Sequence, residues 1–239
     1  MLQPTGKGDE QILTFTLHGI LAHIGKGLAH NWIERNWHNQ FNTNVWGAIR
    51  LTKAVLPHMR RRGQGTLVFM GSIAGWVGTA AGGPYSASKF ALEGKRPVFL
   101  CAVECLKNET EDLGIRTHLV VLGQFRTSIL GAERRQFKVV GDPSTGYDSV
   151  LRRLDDRQAA TNDKQPGDPA AAAERVADLV REEGWFTGQL HTPFRLFLGS
   201  DCLEILRRKC KETLDVLEEQ DAIARSTDLD VKSELEGYN

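Results

Sequence analysis

Apolar side chains recur at helical spacing from about Trp32 to Arg62, at Trp37, Phe41, Val45, Ala48, Ile49, Val55, Leu56 and Met59, and the run ends in Arg60, Arg61, Arg62 and Gly63. This predicts a long helix with cations at its C-terminus, a glycine stop and a bend at Pro57. The pattern then changes to the unbroken apolar run Thr66–Met70, as expected of a strand buried on both faces. A helix beginning near Tyr85, a helix over 102–113 and a second buried strand over 115–122 follow, the last stopped by Gly123. Earlier, 12–17 and 20–22 are short enough for strands, and 26–31 is loop. Later, 147–158 and 169–183 predict helices, 194–198 a short strand and 201–224 a charged amphipathic helix. The alternation of helices with doubly buried strands predicts an α/β fold with a mostly parallel sheet and right-handed crossovers.

Composition narrows the function classes. The 239 residues are 41% hydrophobic and carry 30 basic and 30 acidic side chains, for a formal net charge of zero. There is no surplus charge for a phosphate backbone or an anionic membrane, so neither nucleic acid nor a membrane is an expected partner. No apolar run approaches the ~20 residues of a membrane span, and no basic and then apolar leader opens the chain, so a cytoplasmic location is expected. The four cysteines, Cys101, Cys105, Cys202 and Cys210, lack zinc-site spacing, and the seven histidines are scattered, so no metal is expected. A single domain over 1–239 is expected, with 1–10 and 225–239 as disordered ends.

The candidate chemistry sits in Tyr85-Ser86-Ala87-Ser88-Lys89, where a phenol and an ammonium four residues apart share one helix face. Taken singly, such a pair also fits an ordinary solvated face, Ser72 a strand-end turn, and Asn44 a buried polar group of a helix. Context strengthens the pair: Ser72 lies thirteen residues before Tyr85 at the end of a buried strand, and Asn44 lies in the long helix before it. Strand ends of open parallel sheets are where ligands bind.

The segments NVWG (44–47), GSIAG around Ser72, YSASK (85–89) and GQFRT (123–127) resemble, in order and spacing, the short-chain dehydrogenase/reductase family. The segments GDP (167–169) and RLFLGSD (195–201) are similar to the tail of fungal members, a likeness that brings secondary metabolism with it. The resemblance implies a Rossmann-like three-layer α/β sandwich and an oxidoreductase that uses NAD or NADP to interconvert a carbonyl and an alcohol on a small, partly apolar substrate. Hydride delivery to a carbonyl creates an alkoxide, so a donor must stand at that oxygen. Tyr85 would be that acid, with Lys89 lowering its pKa and, as the resemblance implies, holding the nicotinamide ribose. Ser72 would orient the substrate oxygen. The resemblance further implies that Asn44 holds a relay water and that Gly123 and Thr127 contact the nicotinamide end.

The sequence also departs from the family pattern. A TGxxxGxG turn and two further βα units should precede the asparagine, yet only 43 residues do so. The segment Thr5-Gly6-Lys7-Gly8 reads as a loop, and 21–25 stands about where NNAG belongs. An N-terminally truncated member without the first βα units and without the adenosine half of the cofactor site is therefore expected. Leu122 replaces the usual Pro before Gly123. Residues 95–101 add to the helix after YSASK, and Pro97 should break it. As retained non-coding sequence, this addition would endanger the helix pair through which such enzymes form homo-oligomers. A second expectation stands beside the enzyme: an impaired remnant that acts as a non-catalytic interaction partner or does not fold stably alone, with apolar strand faces left open.

Overall fold

The computed structural model describes residues 16–17, 34–93, 102–127, 146 and 148–229. Four parallel strands form one sheet in chain order: β1 (Thr16–Leu17), β2 (Gly65–Ser72), β3 (Ile115–Leu122) and β4 (Arg195–Leu198). The sheet is held chiefly by the eight-residue register of β2 on β3, from Gly65 opposite Ile115 to Ser72 opposite Leu122. β1 adds two pairs and β4 four. The expected α/β class is thus the observed one.

The long helix is α1 (Glu34–Phe41) continued by α2 (Gly47–Arg62), with a π-helical turn at Asn42–Trp46 between them. In that turn the Gly47 N–H donates to the Asn42 carbonyl, and the extra residue per turn re-aims the side chains it carries. Pro57 lies inside α2, which continues past it to Arg62. At its end Gly63 is left-handed (φ 65°) and the Gln64 N–H closes back on the Met59 carbonyl, which satisfies carbonyls that the helix itself leaves open.

Helix α3 spans Gly83–Glu93, and α4 (Ala102–Thr110) passes through a tight turn to Gly114, again left-handed. A Cβ on Gly114 would lie 2.1 Å from the Gly63 carbonyl oxygen, so the two chain reversals that feed β2 and β3 fit together only with glycine at 114. Among the described residues three further α-helices follow: α5 (Asp148–Thr161), α6 (Pro169–Arg181) and α7 (Ser200–Arg225). α6 starts on Asp168, whose carboxylate accepts the Ala170 N–H at 2.8 Å, with Pro169 in the first turn.

Strand alternation divides the core between the two faces of the sheet. Leu67, Phe69, Leu119 and Val121 face one cluster with Val45, Val55, Met59, Leu92, Val103, Cys202 and Leu206. Val68 and Val120 face the other with Leu179, Val180 and Phe186. Helices therefore cover both faces of β2 and β3, the three-layer arrangement expected.

The boundaries differ from expectation mainly at weak formers. β2 takes in Gly65, Gly71 and Ser72 because its ladder with β3 overrides their low strand preference. α7 runs to Arg225 and the chain turns at 226–228. The segments 5–8, 12–15, 20–25, 26–31 and 95–101, on which other expectations rest, lie outside the described residues.

Candidate active site at the end of β2

β2 ends at Ser72, and its hydroxyl accepts the Ala74 N–H at 3.2 Å across a one-turn helix at Ile73–Gly75. This corner faces α3, which carries Tyr85, Lys89 and Glu93 at successive four-residue steps on one face. The Tyr85 phenol lies near enough to the Ser72 side chain for that hydroxyl to favour its ionised form. Lys89 is only 2% exposed, which rules out the solvated helix face as a reading of this pair. Its ammonium donates to the Met70 carbonyl at 2.6 Å and lies 5.8 Å from the centre of the Tyr85 ring. Asn44 reaches the same helix from the π turn: its Nδ2 donates to the Ser88 Oγ at 2.9 Å, and Ser88 in turn donates to the Tyr85 carbonyl at 2.7 Å. Residues separated by more than forty positions are thus brought to one strand end.

Burial dominates the electrostatics. It pushes the Tyr85 phenol above its ordinary value, opposed by the Ser72 side chain and reinforced by the charge of Glu93. Burial thus displaces the phenol upward, where Lys89 is expected to lower it. Burial likewise lowers Lys89, against the pull of Glu93, and raises Glu93, against the hydrogen bond from the Ser72 N–H, the Trp76 side chain and the charges of Lys89 and Arg195.

Gly123 follows Leu122, the register partner of Ser72, and its N–H donates to the Leu198 carbonyl at 2.9 Å. Asp201, at the start of α7, accepts the Gln124 N–H at 2.8 Å, and a Cβ on Gly123 would lie 2.2 Å from its carboxylate. This contact ties the RLFLGSD segment to the loop after β3. Thr127 is exposed and makes no side-chain hydrogen bond among the described residues, so the structure does not join it to the tyrosine cluster. Three participants escaped the sequence reading: Ser88, the Met70 carbonyl and Glu93. Only Glu93 left a signal, its four-residue step beyond Lys89.

Residues 19–138 match the family model for short chain dehydrogenase. The chain belongs to the short-chain dehydrogenase family. It is 32% identical over 148 residues to the uncharacterized oxidoreductase YusZ of Bacillus subtilis, covering 62% of this chain and 50% of that one. It is 38% identical over 112 residues to bovine retinol dehydrogenase 8, covering 47% of this chain and 34% of the relative. The crystal structure of a short-chain dehydrogenase from Streptomyces avermitilis superposes with a TM-score of 0.66 at 30% identity, over 85% of this chain and 66% of that one. The chain thus spans about half or less of the length of these curated relatives. Among the described residues of this family member, no helix is long and apolar enough to cross a membrane.

Proposed function

We propose that the chain is an NAD(P)-dependent oxidoreductase that interconverts a carbonyl and an alcohol on a small, partly apolar molecule. The observation that carries this reading is the Lys89 ammonium buried 5.8 Å from the Tyr85 ring at a parallel-strand end, with Ser72 close enough to act on the phenol. The name of bovine retinol dehydrogenase 8 specifies an apolar alcohol, which supports the substrate class.

The site also has fitting places for the nicotinamide half of the cofactor. Asn44 Oδ1 is buried without a hydrogen-bond partner among the described residues, a vacancy for a donor such as water. Lys89 has three donors, and the Met70 carbonyl takes one, which leaves others for ribose hydroxyls. The sequence has no TGxxxGxG turn, so the residues assigned here reach no further than that ribose.

The cofactor, when bound, supplies or removes the hydride. In the reductive direction Tyr85 donates its phenolic proton to the carbonyl oxygen as charge develops there. Ser72 donates to the same oxygen and holds it against the phenol. Lys89 stabilises the phenolate left behind, and Asn44, through a bound water, returns a proton toward Lys89. Gly123 and Thr127 stand on the loop after β3, where they would bound the nicotinamide.

Titrating the full chain with NADPH and NADH while following nucleotide fluorescence tests the reading. Saturable binding of one or both is expected; no binding of either overturns it. One observation favours the non-catalytic alternative: Leu214, Leu217 and Ile223 leave α7 with exposed apolar surface. In that case neither nucleotide binds, and the chain is recovered with a partner.

A further inference from the structure

The two glycines that flank Ser72 in the GSIAG corner have ordinary backbone angles, so conformation does not require them. Sterics does. A Cβ on Gly71 would lie 2.8 Å from the Glu93 carboxyl group, and one on Gly75 would lie 2.5 Å from it. The corner is therefore wrapped around a carboxylate that reaches in from α3, two turns beyond Tyr85. Glu93 is 2% exposed, and its Oε1 accepts the Ser72 N–H at 2.5 Å. The Trp76 side chain, at the far end of the same corner, also favours the ionised form of Glu93. A buried carboxylate is costly unless it is hydrogen-bonded, as Oε1 is by the Ser72 N–H.

We propose that Glu93 is a positioning residue of this site: it clamps the corner from Gly71 to Trp76, fixes where the Ser72 hydroxyl meets the Tyr85 phenol, and places a negative charge on the Tyr85–Lys89 face. The proposal rests on the reading of Tyr85 and Ser72 given above. Its geometry is distinct from the Asn44, Ser72, Tyr85 and Lys89 set, because Glu93 acts through a backbone N–H and an indole and touches neither substrate nor cofactor. The charged and titratable groups that face it are Tyr85 and Lys89 on its own helix, Arg195 at the start of β4 and Cys202 on α7. Arg195 donates to the Glu93 carbonyl at 3.4 Å and is also held by Glu104 of α4 at 2.8 Å, which keeps this cation near the carboxylate. Asp201, beside Cys202, adds a charge that acts on that thiol.

A clamp of shape alone and a clamp that also acts through charge differ in Glu93→Gln, which keeps the volume and one acceptor and removes the charge. Full-length chain labelled with 13C at the tyrosine Cζ reports each phenol by NMR, and Tyr85→Phe assigns the Tyr85 signal among the three tyrosines. Glu93→Gln, folded by circular dichroism, is expected to move the Tyr85 titration to lower pH, because a repelling charge is gone. An unchanged or raised Tyr85 titration in folded Glu93→Gln overturns the proposal. Should that variant not fold, the wild-type chain labelled with 15N decides: the Ser72 amide and the Trp76 indole N–H are expected to shift together at one pH, and independent behaviour overturns the proposal. Both readouts need neither substrate nor cofactor. A failed nucleotide titration would remove the proposed activity and leave this result readable.

Discussion

Helices α3 and α7 carry the same sequence device with opposite physical outcomes. On α3, Tyr85, Lys89 and Glu93 follow one another at four-residue steps. On α7, Lys211 meets Asp215 at 2.8 Å and Arg225 meets Asp221 at 2.8 Å at the same spacing. The α7 pairs stand in water, where screening and side-chain entropy leave them worth little. The α3 groups lie under the end of β2, where removal of water displaces the titration of all three. Spacing makes ionisable neighbours, and only burial makes them chemistry.

The strongest way to break this comparison is Tyr85→Phe. Loss of a general acid should slow carbonyl reduction by about 10²–10⁴-fold while nucleotide binding persists. An unchanged rate, measured by NADPH consumption with a carbonyl substrate, would put α3 in the same class as α7.

Gly75→Ala comes next. The added methyl group meets a buried carboxylate at 2.5 Å and should cost ~1–3 kcal/mol of stability, as overpacking does, read by urea denaturation. A neutral result would mean that the corner yields and does not depend on Glu93.

The pH dependence of stability sharpens the contrast further. Burial raises the Glu93 carboxyl from 4.5 to about 7, so the folded state holds this proton more tightly than the unfolded state does. The stability that this supplies is full below the unfolded value and is lost as pH rises through about 7. Urea midpoints of the wild-type chain should therefore drop between pH 5 and 7.5 by more than those of Glu93→Gln. Equal drops would show that Glu93 contributes nothing to the slope.

The smallest effect is expected on α7. Lys211→Ala should change stability by less than about 0.5 kcal/mol in the same assay, and less again in high salt. A larger loss would mean that α7 is covered by a partner.

Much of the scaffold was legible from local signals. β3 could be read to the residue because Gly114 and Gly123 bound a run that begins with Ile115 and closes on Leu119–Leu122, and the end of α2 because three arginines and Gly63 mark it. β2 was read two residues short at its C-terminal end, where Gly71 and Ser72 look like a turn. Their place in the strand comes from pairing with Val121 and Leu122, which no local propensity reports. Asn44 was read as part of a plain helix, and the π turn that aims it at Ser88 has no periodic signature in five residues.

The sequence by itself determined the alternation of elements and the α/β class, which follow from periodicity, and pointed to the family and the candidate residues Asn44, Ser72, Tyr85 and Lys89 through the resemblance of its short motifs. The tertiary structure decided which charged spacings leave water, that the Glu93 carboxylate packs against the Ser72 N–H, and that burial displaces the Tyr85 phenol upward. Desolvation depends on what other elements lay over a side chain. For Glu93 those are the corner from Gly71 to Trp76, Arg195 and Cys202, at distances along the chain that no motif spans.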